Sequence, residues 1–463
     1  MNVGNRRAAH LLSLLALVAV AIAVVIGQSP RSLAAHAATT AGENWAQWRG
    51  PRGQGVSAET GVPTRWSATE NVRWKTEIVG RGHSSPIVWG DRVFLTTAVE
   101  GRPIPGAGQI KHMIDGAEYR HADTCCGDSS YSLKVVALDR KSGRIVWERT
   151  AYEGPVYDRR HKLNTYASST PVTDGRRVYA YFEAEGLYAY DFSGSLVWKT
   201  SLGKITKAGF GHGTSPVLHG DLLILQADQL EGEGSFIAAV HRDTGREVWR
   251  TPRTHRRSYA TPVIVRAGNR DELIAAGSES TIAYDPATGR EIWRGPGTGG
   301  RAYPSPVVSR DAVIVSASVP EKKLVSLRVG GQGDIANTSS VLWSQSRGTS
   351  YVVSPIVHRG LLYVVTDRGI MTCLNPGTGE VKYEGGRVPV PDTFFASPVA
   401  VDDKILLTSQ TGETYVIQAG PVHKVLHSNP LGEEVFASIA ISQGQLFVRG
   451  VRHLYSIGQN GGD

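Results

Sequence analysis

Residues 261–293 decide the fold: they open with Thr261-Pro262-Val263 and close with Ala283-Tyr284-Asp285-Pro286-Ala287-Thr288-Gly289-Arg290-Glu291-Ile292-Trp293. A Pro at the head of a strand costs no ladder hydrogen bond when its missing N–H would have faced away. Asp285 to Gly289 reads as a tight turn in which Gly supplies the positive φ. Trp293, one further strand step on, carries a large apolar surface for burial against a neighbour. The same order of pieces returns along the chain. The opening phrase recurs as Ser85-Pro86-Ile87, Thr170-Pro171-Val172, Ser215-Pro216-Val217, Ser305-Pro306-Val307, Ser354-Pro355-Ile356 and Ser397-Pro398-Val399, and Ala437-Ser438-Ile439-Ala440 keeps the place without the Pro. Trp147, Trp198 and Trp249 follow Gly143, Gly194 and Gly245 as Trp293 follows Gly289, and Tyr383 does so after Gly379.

After an enlarged first copy, successive copies lie 41 to 49 residues apart, the period of one four-stranded propeller blade. Eight copies predict an all-β, eight-bladed β-propeller. The last copy ends at His453-Leu454-Tyr455-Ser456-Ile457 without a Trp-bearing fourth strand. Asn71-Val72-Arg73-Trp74-Lys75-Thr76, in turn, is worded like Leu196-Val197-Trp198-Lys199-Thr200. The N-terminal strand is therefore expected to complete the last blade and close the ring, which removes exposed sheet edges. The chain divides into a leader (1–37), an extension (38–70), the propeller (71–458, with an insertion at 99–131 in the first blade) and a tail (459–463).

Composition agrees with many short strands and turns. Gly accounts for 53 of the 463 residues, above the usual ~7 %, and only 3 Met accompany 10 Trp and 17 Tyr. The formal charge of +8 is spread without a basic run, and Arg6, Arg7 and Arg31 fall in the leader. Nucleic-acid binding needs a clustered cationic stripe, so it is excluded as an expectation. Arg6-Arg7, the apolar run Leu11 to Ile26 and the small-x-small site Ala35-His36-Ala37 read as an export signal, or as an uncleaved membrane tether through residues 11–26. Either places the body of the protein outside the cytoplasm, periplasmic or secreted in the first case.

The stretch Ala283 to Trp293, with Ala137 to Trp147 and Ala239 to Trp249, resembles the Ala-x-Asp-x-x-x-Gly-x-x-x-Trp docking motif of pyrroloquinoline-quinone (PQQ)-like repeats; His241 stands in for Asp in the last. The resemblance covers roughly residues 71–458. Trp45-Ala46-Gln47-Trp48-Arg49-Gly50-Pro51 is similar to exported bacterial members of undefined role. The motif holds blades together and binds no cofactor. Among distant relatives, the quinoprotein dehydrogenases hold PQQ on the ring axis between a Trp and a disulfide of adjacent cysteines, with calcium beside it. The outer-membrane assembly propeller lipoprotein carries a lipidated Cys, for which this leader has no counterpart.

Cys125-Cys126 are adjacent, the one element here that such a quinone site would use. Adjacent Cα atoms are about 3.8 Å apart, below the usual disulfide range of about 4.4–6.8 Å, so a bridge there is strained. The pair lies in the insertion and is expected on the rim, not over the axis. Cys373 reads as a buried apolar residue. No metal motif with tight spacing appears. Asp228, Glu231 and Glu233 are the loop carboxylates that could give oxygens to calcium.

Position within the repeat singles out a further group. His83, Tyr259, Tyr303, Phe395 and Phe436 stand two residues ahead of the repeat Ser or Thr, with Tyr351 and His212 one place earlier. First strands of blades line the channel, so these residues are expected to ring one mouth of it. Loops on that face also carry Arg81, Arg159, Arg160, His161, Arg256, Arg257, Arg301 and Arg347. Aromatic faces with cations suit a small anionic ligand, or a peptide or protein segment. No complete catalytic set is present. The expected function is a non-catalytic, monomeric binding or scaffold module without a cofactor. A PQQ- and calcium-dependent dehydrogenase of alcohols or sugars is the alternative.

Overall fold

The Pro phrase becomes the entrance to the innermost strand of each blade. In the computed structural model, which describes residues 43–104, 110–114, 116–207, 209–229, 234–256 and 258–459, strands begin at Ile87, Val172, Val217, Val263, Val307, Ile356 and Val399, each directly after its Pro. Eight sheets follow one another as an antiparallel four-stranded meander. The second blade, for example, runs Val172–Thr173, Arg177–Tyr181, Leu187–Asp191 and Leu196–Thr200.

Burial grades outward along each blade, and the sequence follows it. Second strands such as Leu361–Val365 are covered on both faces by adjacent blades and are almost wholly apolar. Outer strands such as Leu196–Thr200 bury chiefly one side chain, Trp198. The cores lie between neighbouring sheets: Ile87, Phe94 and Ala137 of blade 1 pack with Val178, Ala180 and Tyr188 of blade 2.

Outer-strand tryptophans fasten each blade to the next. The Trp147 indole N–H donates to Phe192 O at 2.9 Å, Trp198 to Arg242 O at 2.8 Å, Trp249 to Pro286 O at 3.2 Å and Trp343 to Pro376 O at 2.9 Å. Each ring lies on the turn glycine of that neighbour. A Cβ on Gly245 would meet Trp198 at 2.5 Å, and one on Gly289 would meet Trp249 at 2.3 Å, so glycine is needed there for space as well as for its positive φ. Trp293 departs from the pattern. Its N–H goes to Glu272 Oε2 at 2.8 Å, and Gly333–Asp334 adds to blade 4 as a short parallel fifth strand.

Ring closure takes the expected form. Val72–Glu77 pairs antiparallel with His453–Ile457, Trp74 opposite Ser456 and Thr76 opposite Leu454. Trp74 then docks on blade 1, donating to Arg140 O at 2.8 Å above Gly143.

The insertion is shorter than its expected bounds of 99–131. Strands Arg92–Pro103 and Ser129–Asp139 stay paired through Glu100↔Tyr131 and Pro103↔Ser129, because regular pairing continues past the blade's edge. The leader, the tail from 460 on, Glu231, Glu233 and Arg257 lie outside the described residues. Among the described residues no helix is long and apolar enough to cross a membrane.

Candidate functional site

The Ser or Thr before each repeat Pro has a role that the phrase alone did not reveal. Ser85 N donates to Thr170 Oγ1 (2.9 Å), Thr170 N to Ser215 Oγ (3.0 Å), Ser215 N to Thr261 Oγ1 (3.0 Å) and Thr261 N to Ser305 Oγ (2.8 Å). Ser305, Ser354, Ser397 and Ser438 continue the series at 3.0 Å each, and Ser438 N returns to Ser85 Oγ. These eight bonds form a closed belt around the axis. The hydroxyl answers a buried backbone N–H just ahead of each blade's first strand, where no sheet partner takes it. It also explains why the last copy keeps its Ser while losing its Pro.

Side chains two residues apart on an extended segment point the same way, so a second belt stands above the first. His83 stacks on Phe436 with centroids 4.3 Å apart and planes 9° from parallel, and Phe436 stacks on Phe395 at 5.3 Å. Opposite them, Tyr259, Tyr303 and Tyr351 follow each other at 5.2 Å. These six, with His212, Arg301 and six of the eight belt residues, line one axial cavity of about 330 Å³.

Trp48 also lines this cavity. Residues 43–57 hold it there by crossing the other end of the ring. Trp45 exchanges backbone bonds with Val88, Ala46 O accepts from Thr173 N, and Gln54 Oε1 accepts from Val308 N at 2.7 Å. The Arg49 guanidinium, 1 % exposed, donates to Pro355 O at 2.5 Å. Gly55 O accepts from Ala400 N at 2.7 Å, and Glu43 O from Ser442 Oγ. The extension thereby touches six of the eight blades.

The electrostatics of the cavity are one-sided. No Asp or Glu is among its described lining residues, whereas His83, His121, His161, His212 and Arg301 are. Burial, then the charges of Arg449, Arg81 and Arg160, hold the His83 pKa down at about 3, so its imidazole is neutral at pH 7. Arg449 is itself buried with backbone and hydroxyl partners, Ser84 O at 3.1 Å and Thr96 O at 2.7 Å. His212 differs. Burial alone would lower its pKa, but Glu183 and Glu185 behind it outweigh that and raise it. Its Nε2 is 3.7 Å from Glu185 Oε2. Glu183 sits at φ 51, an unusual conformation for a residue with a side chain, in the one-turn 3-10 helix Glu183–Glu185.

The other expected residues scatter. Arg81 is exposed, bonded through its backbone to Ala98, and reaches the site only through its charge on His83. Arg160 is buried and donates to Asn164 O at 2.8 Å, and Arg347 faces solvent near Glu384. Cys125 lies on the short strand Thr124–Cys125, paired with Arg160–His161, its sulfur 3.7 Å from Arg160 Nη1. Burial and its neighbour Cys125 push the Cys126 thiol up to about 12. Neither sulfur lines the cavity.

Asp228 is not positioned as a calcium ligand. Arg253 takes its Oδ1 at 2.7 Å and its Oδ2 at 3.1 Å, and Gln226 adds a bond to Oδ2 at 2.8 Å; the ion pair is fully buried. A carboxylate at the end of a blade's second strand, facing an arginine on the fourth, is neutralised by the fold before any ion can reach it. Sequence reasoning also missed His121 and Asp123, which meet His161 at the cavity's edge, and Trp48 as a lining residue. The only signal for the first was a His-x-Asp step, which is common by chance.

A family model described as outer membrane protein assembly factor BamB matches residues 131–384. No curated protein sequence matches the chain. Among solved structures, a europium-containing methanol dehydrogenase is similar with a TM-score of 0.59 at 11 % identity, over 89 % of this chain and 90 % of that one. Quinohemoprotein alcohol dehydrogenase from Comamonas testosteroni gives 0.58 at 10 %, over 91 % and 81 %. BamB from Moraxella catarrhalis gives 0.49 at 14 %, over 73 % and 94 %. The dehydrogenase likenesses show the propeller fold. Since the family match spans more than half of the chain, the protein belongs to the PQQ-like repeat family whose model bears the BamB description.

Proposed function

We propose that this protein is a non-catalytic binding module working outside the cytoplasm, and that its axial cavity takes a small, flat anion. The observation that carries the reading is the pairing of aromatic walls with a lining that holds Arg301 and four histidines and, among the described residues, no carboxylate. The volume of about 330 Å³ is at the lower end of the range for small-molecule sites. His83, Phe436 and Phe395 on one side and Tyr259, Tyr303 and Tyr351 on the other take up one another's faces, so the wall they offer to a planar apolar body is one of ring edges, the positive rim of each aromatic. Arg301 supplies the charge that a carboxylate or phosphate answers. The export reading rests on Arg6-Arg7, the apolar run and Ala35-His36-Ala37.

The residues do not fit a calcium-bound quinone. Calcium takes six to eight oxygen ligands, and the described lining has no carboxylate to supply them. Asp228 is committed to Arg253, and neither Cys125 nor Cys126 is among the lining residues. No chemical step is therefore assigned to such a group.

The test is a fluorescence and calorimetric titration with naphthalene-2-carboxylate and its uncharged carboxamide. The anion is expected to bind, to perturb Trp48 emission and to weaken at least tenfold in R301Q. Equal affinity for both compounds, or an unchanged R301Q, would overturn the reading.

A further inference from the structure

We infer that His121, Asp123 and His161 form a binding site for one divalent transition-metal ion at the edge of the axial cavity. One ligand atom from each residue lies within 4.8 Å of the other two. Ligands around one ion, with bonds of about 2.0–2.2 Å, sit about 3–4 Å apart. Closing that gap takes a shift of about 1 Å in the ligand atoms.

The fold brings the three together from two separate segments. The insertion in blade 1 supplies His121 and Asp123, and the loop entering blade 2 supplies His161. Pairing of Thr124–Cys125 with Arg160–His161 sets Thr124 opposite His161. Thr124 N donates to His121 O at 3.1 Å, and Lys162 N to Asp123 O at 2.9 Å, which fixes both backbones. Phe210 packs against both imidazoles, at 5.1 and 6.3 Å between centroids.

The carboxylate is divided between two tasks. Lys162 Nζ holds Asp123 Oδ1 at 2.7 Å, and Oδ2 faces His161 Nε2 at 3.7 Å. A ligand carboxylate oriented by a hydrogen bond to its other oxygen is the usual outer-shell arrangement. Two imidazoles and one carboxylate suit zinc, iron, cobalt or manganese rather than calcium, and three protein ligands leave positions open. His121 and His161 also line the cavity, so the ion would sit at its border. Backbone N–H groups of Asp123 and Leu163 stand 3.2 Å from Nδ1 of His121 and His161 respectively. Coordination through Nε2 requires Nδ1 to carry the proton, so these two long contacts are given up when the ion binds.

The inference does not depend on the anion reading, because the ion is tested alone. Tag-free protein is titrated with Co²⁺, whose visible absorption reports nitrogen and oxygen ligation, and then competed with Zn²⁺. One equivalent is expected to bind, with affinity at least tenfold lower in H121A, H161A and D123N, and unchanged in H219A. On the wild-type protein, Zn²⁺ is expected to protect His121 and His161 from diethylpyrocarbonate, read by peptide mass spectrometry, which needs no folded variant. Absence of stoichiometric uptake, uptake unchanged in an H121A/H161A double variant, or no protection of these two histidines would overturn the site.

Discussion

The backbone N–H of Ser438 donates to Ser85 Oγ at 3.0 Å, joining residues 353 positions apart. That bond is the last of eight around the axis, so blade 8 is tied to blade 1 by the same device that ties every other neighbouring pair. A second closure lies at the outer edge, where Trp74 reaches Arg140 O. The ring is thus held at both radii, by hydroxyls inside and indoles outside.

Removing one hydroxyl from the inner belt leaves a buried N–H without a partner, which costs about 1–3 kcal/mol. S85A is expected to lower unfolding stability by that amount in a urea titration. S85T is expected to retain most of it, since Thr170 and Thr261 serve in the same belt.

Truncating the closing indole removes both packing and a hydrogen bond. Large-to-small changes of this kind cost about 3–5 kcal/mol, so W74A is expected to lose that much stability. W74F keeps an apolar ring and is expected to lose less, the remainder being largely the bond to Arg140 O. Denaturant midpoints of the two variants check the split.

The Asp228–Arg253 pair makes an opposite demand from a calcium site. Breaking a buried ion pair from one side costs about 3–5 kcal/mol, so D228A is expected to be strongly destabilised. Adding calcium or a chelator is expected to leave its melting temperature unchanged. Differential scanning calorimetry reads both.

Two histidines give the stability profile two limbs. His83 has a folded pKa of about 3 against an ordinary value of 6.5, so below 6.5 the unfolded chain takes up a proton that the folded one refuses. Stability is therefore expected to fall as pH drops from 6.5 toward 3, and H83F, which keeps the stack on Phe436, is expected to flatten that limb. His212 has a raised pKa. Its contribution is full below 6.5 and lost as pH rises through the folded value, and H212Q is expected to flatten that fall in stability. Urea titrations across pH check both signs.

Much of the fold was legible because it repeats. The turn glycines, the outer tryptophans and the small-residue-Pro phrase each recur at blade spacing, and the missing last strand could be matched to residues 71–76 by wording alone. The aromatic ring was legible for the same reason: His83, Tyr259, Tyr303, Phe395 and Phe436 hold one position in the repeat, and Tyr351 and His212 differ by one place. What does not repeat could not be read. Asp228 looked like a loop carboxylate because nothing near it in the chain announces Arg253. Arg81 and Arg347 shared a face with the site but not its lining, since an exposed loop side chain is not aimed by strand geometry.

By itself, then, the order of residues determined eight blades, their closure and the repeat-borne residues that line the cavity, because each is dictated locally and restated from copy to copy. Only the tertiary structure decided that Trp48 lines the cavity, that Ser and Thr hydroxyls join into a belt, and that His121, Asp123 and His161 meet at its edge. Those contacts join segments with no common period, an N-terminal extension, an insertion and an inter-blade loop. Their partners are set by where the closed ring brings chain together rather than by anything spelled out along it.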